Sequence, residues 1–251
     1  MNGLRSVTTG TDNLAKTKTL FKDILGLNVA DKGNALRFGD AELTSGTRIH
    51  FVEIPKYQND DNHIENIGLR IPSDEGLDEY KTILDQHHIE HSEVTDLNGH
   101  KYFEFQDQNN QSFNIYSNEH NIGAPLGMPT FDSTVNPLHQ IQGLGPVLLK
   151  VNELLLTQSI LDKVFGLTHF AEYAPHPDAD YKVQVFRIGE GGLGGELHLY
   201  ASSEEIKMPE HGIVEQIEFA TESKAQFQNA LQQLESIGIP YQSLDQDGEK
   251  S

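Results

Sequence analysis

Two histidines occupy matching places in similar stretches of the sequence. His50 lies in GTRIHFVEI and His198 lies in GGELHLYAS, and both stretches are typical of strands. Side chains alternate along a strand, so His50 shares a face with Arg48 and Val52. An imidazole in a binding cup can orient a substrate, act as a base or bind a metal ion. A lone strand histidine can equally be a hydrogen-bonded structural residue, and both interpretations stay open for this pair.

Three other polar clusters carry weaker signals. The motif His87-His88-Ile89 falls where a predicted helix meets a predicted strand, so we predict a solvated helix end. GEGGLGG (189–195) has the glycine content of a phosphate loop, but a phosphate loop leads into a helix and this one leads into a strand, so we predict a flexible turn. HPDAD (176–180) is predicted to be a surface loop, with a weak surface metal site as the alternative.

Carboxylates are the remaining candidates for chemistry. Glu104, Glu215 and Glu218 could line an acidic cup. Glu215 and Glu218 are three positions apart, so on a regular strand they face opposite sides. Hydrolase chemistry of the serine-histidine-aspartate kind has no support, since the sequence contains no Gly-x-Ser-x-Gly elbow.

Composition limits the classes of partner. The 251 residues carry a net charge of −20, which disfavours nucleic acid and anionic membrane surfaces. No apolar run of about 18 residues is present that would span a membrane. The chain contains no cysteine, and MNGLRSVTTGTDNL has no apolar signal core, so we predict a cytoplasmic protein. The charge is explained by solubility, or alternatively by a cup that attracts a cationic ligand.

An internal repeat organises the elements that must position these residues. LFKDILGLN (20–28) returns as ILDKVFGLT (160–168), in which a predicted helix again ends at Gly-Leu. Around the first copy, strands are predicted at 4–9, 35–38 and 49–54. Around the second copy they are predicted at 143–151, 181–188 and 196–201, with a helix over 153–165.

Two further units follow the same order. After a strand at 66–71, the second unit has a helix near 77–84 and strands at 88–94, 101–107 and 112–117. The fourth unit has a strand at 213–221, a helix over 225–236 and a strand at 238–244. We predict three regions: a first pair of modules over 1–117, a proline-containing linker over 118–140, and a second pair over 141–251 that lacks its last strands.

Four β-α-β-β-β modules with the stretches GLRSVTTGTDN, GTRIHFVEIP and HGIVEQIEFAT resemble the vicinal oxygen chelate superfamily. That superfamily includes glyoxalases, fosfomycin- and bleomycin-resistance proteins and extradiol dioxygenases. Within it, the sequence looks most similar to the ring-cleaving hydroquinone and catechol dioxygenases. The resemblance implies an α+β fold, with four βαβββ modules in two halves that form cupped mixed sheets, the fourth module being incomplete.

The resemblance also implies a metal site, and this sequence departs from it. The family holds Fe(II) or a similar divalent ion with two histidines and one glutamate. The two histidine positions fall on Ser6 and Gln216, and the glutamate strand, which would match the strand of Asn114, is absent from this sequence. Serine and glutamine oxygens replace imidazole poorly on a transition metal. We therefore predict no family-type iron site and no metal ligand, leave the catalytic residues unassigned, and take as candidates for a ligand cup Ser6, His50, Asn114, His198 and Gln216.

The leading hypothesis is a glyoxalase or ring-cleaving dioxygenase-family protein with a degenerate metal site, which binds quinone-like, catechol-like or other small organic molecules. Whether it is an enzyme stays open, and a divalent metal is expected only if the family activity is retained. The first alternative is a metal-free, drug-sequestering protein of the bleomycin-resistance type, which the net charge of −20 favours and the absence of tryptophan disfavours. The second alternative is a catalytically inactive paralogue.

An incomplete fourth module has a structural consequence. Two missing strands would expose a sheet edge, and exposed edges pair with other chains. The expectation is either a partner subunit, for which a homodimer is the simplest case, or further residues after Ser251.

Overall fold

The computed structural model describes residues 3–57, 59, 62–207, 209, 212 and 214–242, and the backbone of 245–246 and 249–250. Within these residues the strands are β1 (Leu4–Thr11), β2 (Asn28–Asp31), β3 (Ala35–Gly39), β4 (Arg48–Glu53), β5 (Ile64–Ile71), β6 (Thr95–Leu97), β7 (His100–Gln106), β8 (Ser112–Ser117), β9 (Gly143–Val151), β10 (Thr168–Tyr173), β11 (Val183–Arg187), β12 (Glu196–Ala201), β13 (Gln216–Phe219), β14 (Asp245–Gln246) and β15 (Glu249–Lys250). The helices are α1 (Leu14–Lys18), α2 (Asp74–Gln86), α3 (Leu154–Ile160) and α4 (Lys224–Ser236).

The repeated helix has the same local geometry in both copies. α1 continues into a π-helical turn, Thr19–Ile24, and α3 continues into another, Leu161–Phe165. Each then ends at a glycine in the left-handed region, Gly26 with φ 79° and Gly166 with φ 69°. Glycine adopts this conformation without a steric penalty, so the helix ends where the sequence predicts.

The α+β fold of βαβββ modules is confirmed, and the strands form two main mixed sheets. The small sheet has the order β13-β1-β4-β3-β2, and the large sheet has the order β10-β11-β12-β9-β5-β8-β7-β6. In both, the opening strands of two modules pair antiparallel, β1 with β13 and β5 with β9. Each sheet thus joins a module from the first half of the chain with one from the second half. The division at 118–140 stays a prediction.

Apolar side chains lie on one face of each sheet and share a core. Phe21 of the first repeated helix packs against Phe38 and Phe51 of the small sheet, with ring centroids 5.3 and 4.8 Å apart. It also contacts Phe113 of the large sheet at 5.1 Å. Because strand side chains alternate, the opposite faces of both sheets carry the polar residues. These polar faces are the floors of two cups.

Several predicted strands are displaced. HIEHSEV (88–94) is not a strand: His88 has φ 56°, and only an isolated bridge from His91 to Phe105 precedes β6. Residues 238–242 also lack a strand, while Ser243 and Leu244 lie outside the described residues. In contrast, β2 and β10 were not predicted. β10 has no buried residue and β2 is an edge strand, so neither shows an alternating pattern.

The segment 118–140 is fastened to the sheets by a buried cation. Arg70 is 1% exposed, and its guanidinium donates to the carbonyls of Leu144, Ala124 and Pro125 and to Oδ1 of Asn118. Burial lowers the pKa of Arg70 to about 10. With four acceptors around it, the guanidinium ties the segment to β5 and β9 without a carboxylate.

The glycine-rich loop 189–195 packs against the same segment. The amide of Leu193 donates to Oδ1 of Asn121 at 2.9 Å. A Cβ atom at Gly192 would lie 1.9 Å from the carbonyl oxygen of Ile122, so glycine is required for this close approach. The loop is therefore a packed connection in place of the predicted flexible turn. Within the described residues, every helix is too short or too polar to cross a membrane.

Asp107 provides a test of the fold. This carboxyl is buried, its Oδ1 accepts from the amides of Asn109 and Gln111, and its Oδ2 has no partner in the described structure. Burial raises the pKa of Asp107 from 3.8 to about 6. Since the folded pKa is raised, its stabilising contribution is present below pH 4 and is lost as the pH rises through 6. Urea unfolding of Asp107→Asn should show wild type losing about 3 kcal/mol relative to the variant over that range. Asp132→Asn changes an exposed carboxyl and serves as the control, so its stability should follow that of wild type across this pH range. A wild-type curve parallel to that of Asp107→Asn would contradict the assignment.

Candidate functional site

The polar face of the small sheet brings together three of the five candidates. Strand register aligns Gln216 with Thr8, Thr8 with His50, and His50 with Arg37, so these four side chains form one row across the sheet. Ser6 lies in the next row. Directly opposed side chains on neighbouring strands are about 5 Å apart at Cβ, close enough to act on one ligand. We call this face the small-sheet cup. Its cavity of about 350 Å3 is lined by Arg5, Thr8, Lys32, Ala35, Leu36, Arg37, Arg48, His50, Val52, Gln216 and Glu218.

Glu218 links Ser6 and Gln216, the two positions at which the resemblance implies histidines. Ser6 donates its hydroxyl to Oε2 of Glu218 at 2.7 Å, and Nε2 of Gln216 donates to Oε1 at 3.2 Å. The guanidinium of Arg5 lies 3.6 Å from Oε2. One carboxylate therefore accepts hydrogen bonds from the side chains at both positions. Glu215 lies just before β13 and accepts from the amides of residues 63 and 64, away from the Glu218 carboxylate.

The lining of the small-sheet cup is cationic. It contains Arg5, Lys32, Arg37 and Arg48 and the single carboxylate of Glu218, in a chain whose net charge is −20. Burial, together with the charge of Arg37 on the adjacent strand, lowers the pKa of His50 to about 4. The imidazole is therefore neutral at pH 7. Its Nε2 is buried and has no hydrogen-bond partner in the described part of the chain.

These residues do not fit a divalent metal ion. Ser6 and Gln216 both donate to Glu218, whose charge is already offset by Arg5. The cationic side chains that line the cup would repel a metal cation. Within the described residues, no group of three or more histidine and carboxylate side chains could hold a metal ion. The alternative of a weak surface metal site at HPDAD (176–180) is therefore not supported.

The other two candidates, Asn114 and His198, lie on the large sheet. Its polar face, which we call the large-sheet cup, has a cavity of about 430 Å3. Asn66 donates to Oε2 of Glu104 and to Oδ1 of Asn114, both at 3.0 Å, and Asn114 donates to the hydroxyl of Tyr116 at 3.2 Å. Burial raises the pKa of Glu104 and of Tyr116. Glu104 thus lines a cup as predicted, and Asn114 acts as a bridge within a hydrogen-bonded chain.

His198 belongs to a second chain on the large sheet. Its Nε2 lies 3.3 Å from the carboxylate of Glu196, and its Nδ1 lies 3.1 Å from the hydroxyl of Tyr173. A carboxylate only accepts, so in the neutral ring Nε2–H donates to Glu196 and Nδ1 accepts from Tyr173. His198 is 3% exposed, and burial raises the pKa of Tyr173. The histidine therefore orients a tyrosine at the edge of the cavity.

Sequence reasoning missed the residues that distinguish the two cups. Asn66 and Tyr116 carry no signal in the sequence, because polar residues are common on the open face of a strand. Arg37 could have been found, since it lies on a predicted strand next to that of His50. The role of Glu218 depends on a partner 212 positions away, which no local pattern contains.

Comparisons with known proteins support the same architecture. The chain is 29% identical over 211 residues to MhqA of Bacillus subtilis (strain 168), whose assignment as a ring-cleaving dioxygenase is provisional, and the match covers 79% of this chain and 65% of MhqA. The chain thus spans less than two thirds of that relative. No family model matches the sequence.

Solved structures share the fold at low identity. A crystal structure of a provisionally assigned dioxygenase from Bacillus subtilis superimposes with a TM-score of 0.62 and 18% identity, and the match covers 79% of this chain and 63% of that one. Glyoxalase I from Zea mays superimposes with a TM-score of 0.65 and 12% identity, and the match covers 98% of this chain and 85% of that one.

The titration of His50 tests the geometry of the small-sheet cup. We expect NMR spectra of the ring protons to show a neutral imidazole down to about pH 5, with a midpoint near pH 4, because burial and Arg37 both oppose its charge. Arg37→Gln should move the midpoint upward. A midpoint near the ordinary 6.5 that does not respond to Arg37→Gln would contradict the arrangement.

Proposed function

We propose that the chain, which is similar to a provisionally assigned ring-cleaving dioxygenase and shares its fold with glyoxalase I, is a member of the vicinal oxygen chelate superfamily that binds small catechol- or quinone-like molecules without an iron centre. The observation that carries the proposal is the contrast between the two cups. At the family metal positions, Glu218 links Ser6 to Gln216 beneath a cationic lining. The large-sheet cup instead offers paired donors and acceptors around a cavity.

Hydrogen bonding in the large-sheet cup supports a hydroxylated ligand. The hydroxyl of Tyr116 accepts from Asn114, which leaves its proton available to donate. The carboxylate of Glu104 accepts from Asn66 and from the side chain of Ser112, and its two oxygens have lone pairs for further donors. Because burial without enough donors disfavours the charged carboxylate, a ligand hydroxyl that donates to Glu104 would be favourable. A catechol can donate to Glu104 and accept from Tyr116.

Aromatic side chains support a flat ligand. The rings of Tyr102 and Tyr116 are stacked with centroids 4.8 Å apart, and both line the cavity together with Tyr173. A volume of about 430 Å3 is within the range of small-molecule sites. Tyrosines thus supply the aromatic surface that the absence of tryptophan had put in doubt.

A second candidate function is metal-free sequestration of a cationic aromatic drug. The large-sheet cup is lined by Glu65 and Glu104 and by the single cation Lys150, which lies 3.7 Å from Glu65. An ammonium group could pair with Glu104 while an aromatic body contacts the tyrosines. This alternative requires a positive charge on the ligand, whereas the leading proposal requires hydroxyl groups.

Metal analysis tests the first part of the proposal. After incubation with Fe(II), Mn(II) or Zn(II) and gel filtration, the protein should retain far less than one metal ion per chain. The physical reason is repulsion by the cationic lining and the lack of imidazole at Ser6 and Gln216. Stoichiometric metal that disappears in His50→Ala would instead reveal a new ligand set and would sink the metal-free proposal.

Ligand titration tests the second part. Calorimetry should detect binding of catechol, and Glu104→Gln should weaken it about 10-fold, because a charge-assisted hydrogen bond is replaced by a neutral one. Glu93→Gln, which removes an exposed carboxylate paired with Lys81, serves as the matched control and should leave the affinity unchanged.

The choice of ligand separates the two candidates. If a cationic planar dye binds and catechol does not, and Glu104→Gln abolishes dye binding, sequestration replaces the leading proposal. Catechol binding that is equal in wild type and Glu104→Gln would remove the large-sheet cup from the proposal.

A further inference from the structure

The geometry points to the small-sheet cup as a binding site for a small organic carboxylate, held by Arg37 on the side of the cup away from Glu218. This inference goes beyond the proposed function, because it concerns the other sheet and a ligand of opposite charge. It begins from the misfit between the cup and a metal ion. A lining that excludes a cation has the composition that an anion needs.

The distribution of charge supports an anionic ligand. Four of the 18 lysines and arginines of the chain lie in the lining of this one cavity, although acidic residues outnumber basic ones by 38 to 18 overall. A concave surface lined by one sign of charge concentrates counter-ions of the other sign. Guanidinium groups bind carboxylates through two parallel hydrogen bonds.

Arg37 is the residue with capacity for a ligand. In the described part of the chain its guanidinium takes part in no hydrogen bond and no ion pair, and it is partly exposed on the open face of β3. It lies directly opposite His50, whose imidazole is neutral at pH 7 and whose Nε2 has no partner. Arginine is permanently charged, so an unpaired guanidinium in a cavity favours an anion strongly.

Glu218 does not neutralise the positive charge of Arg37. Both of its oxygens are engaged, by Ser6 and Gln216, and Arg5 offsets its charge from 3.6 Å. Glu218 lies on β13, and β1 and β4 separate that strand from β3. The carboxylate and Arg37 are therefore at opposite sides of the cup.

The apolar end of the cup explains why an organic acid fits better than a bare inorganic ion. Ala35 lies opposite Val52 in the row next to Arg37 and His50, and both line the cavity. A carboxylate can bind Arg37 while an apolar body covers this row and excludes water. The volume of about 350 Å3 accommodates a ring-sized ligand.

Titration of the 251-residue protein with benzoate tests the inference. In phosphate-free buffer, NMR or calorimetry should detect benzoate binding that weakens as salt is raised. Arg37→Gln should reduce the affinity at least 10-fold and Arg37→Lys should fall between the two, because lysine keeps the charge and loses the paired geometry. The matched control is Arg187→Gln, which removes the same charge from the large sheet and should leave benzoate affinity unchanged.

Two further ligands give the remaining outcomes. Benzamide, which is neutral and has the same shape, should bind at least 10-fold more weakly, and equal binding would overturn the role of charge. Inorganic phosphate that binds when benzoate does not would overturn the organic part of the inference. Benzoate affinity that is unchanged in a folded Arg37→Gln variant, or no benzoate binding at all, would overturn the site. Catechol binding through Glu104 is unaffected by any of these results, so the two proposals fail independently.

Discussion

Antiparallel pairing between the opening strands of the modules is the constraint on which the rest of the structure depends. β1 pairs with β13 and β5 pairs with β9, so modules from opposite halves of the chain share each sheet. Backbone donors and acceptors in a buried strand must be paired, which makes this contact obligatory. Because side chains alternate with a period of two, a slip of one residue would turn the polar row of a cup into the core. The register therefore fixes what each cup contains.

The same scaffold carries two linings of opposite charge. On the small sheet, arginines surround a carboxylate that links Ser6 to Gln216. On the large sheet, Glu104 lies in a chain of amides and tyrosine hydroxyls. Long-range attraction across a protein is screened within about 10 Å, so the net charge of −20 does not decide what either cavity attracts. Local side chains decide it, and an overall acidic protein can contain a cationic site.

His50 and His198 illustrate how far sequence reasoning reaches. Both were predicted on the last strand of a module, and both lie there. Their surroundings differ: His198 is fixed between Glu196 and Tyr173, while His50 is a neutral ring beside Arg37 with an unpaired nitrogen. The strand and the face follow from local alternation. The partners come from other strands, so position within the module could not distinguish a structural histidine from one in a candidate site.

The sequence by itself determined the local parts of this protein. The repeated helix ends at Gly26 and Gly166 as predicted, and Ser112–Ser117, Gly143–Val151 and Glu196–Ala201 are strands as predicted, because propensity and glycine act within a few residues. The prediction that Ser6 and Gln216 occupy the histidine positions of the family came from the resemblance and stays a prediction. Only the tertiary structure decided that Glu218 links them, that the candidates divide between two cups, and that cations surround one of them. Those facts depend on contacts between residues far apart in the chain, such as Ser6 and Glu218, which become neighbours only when β1 and β13 pair.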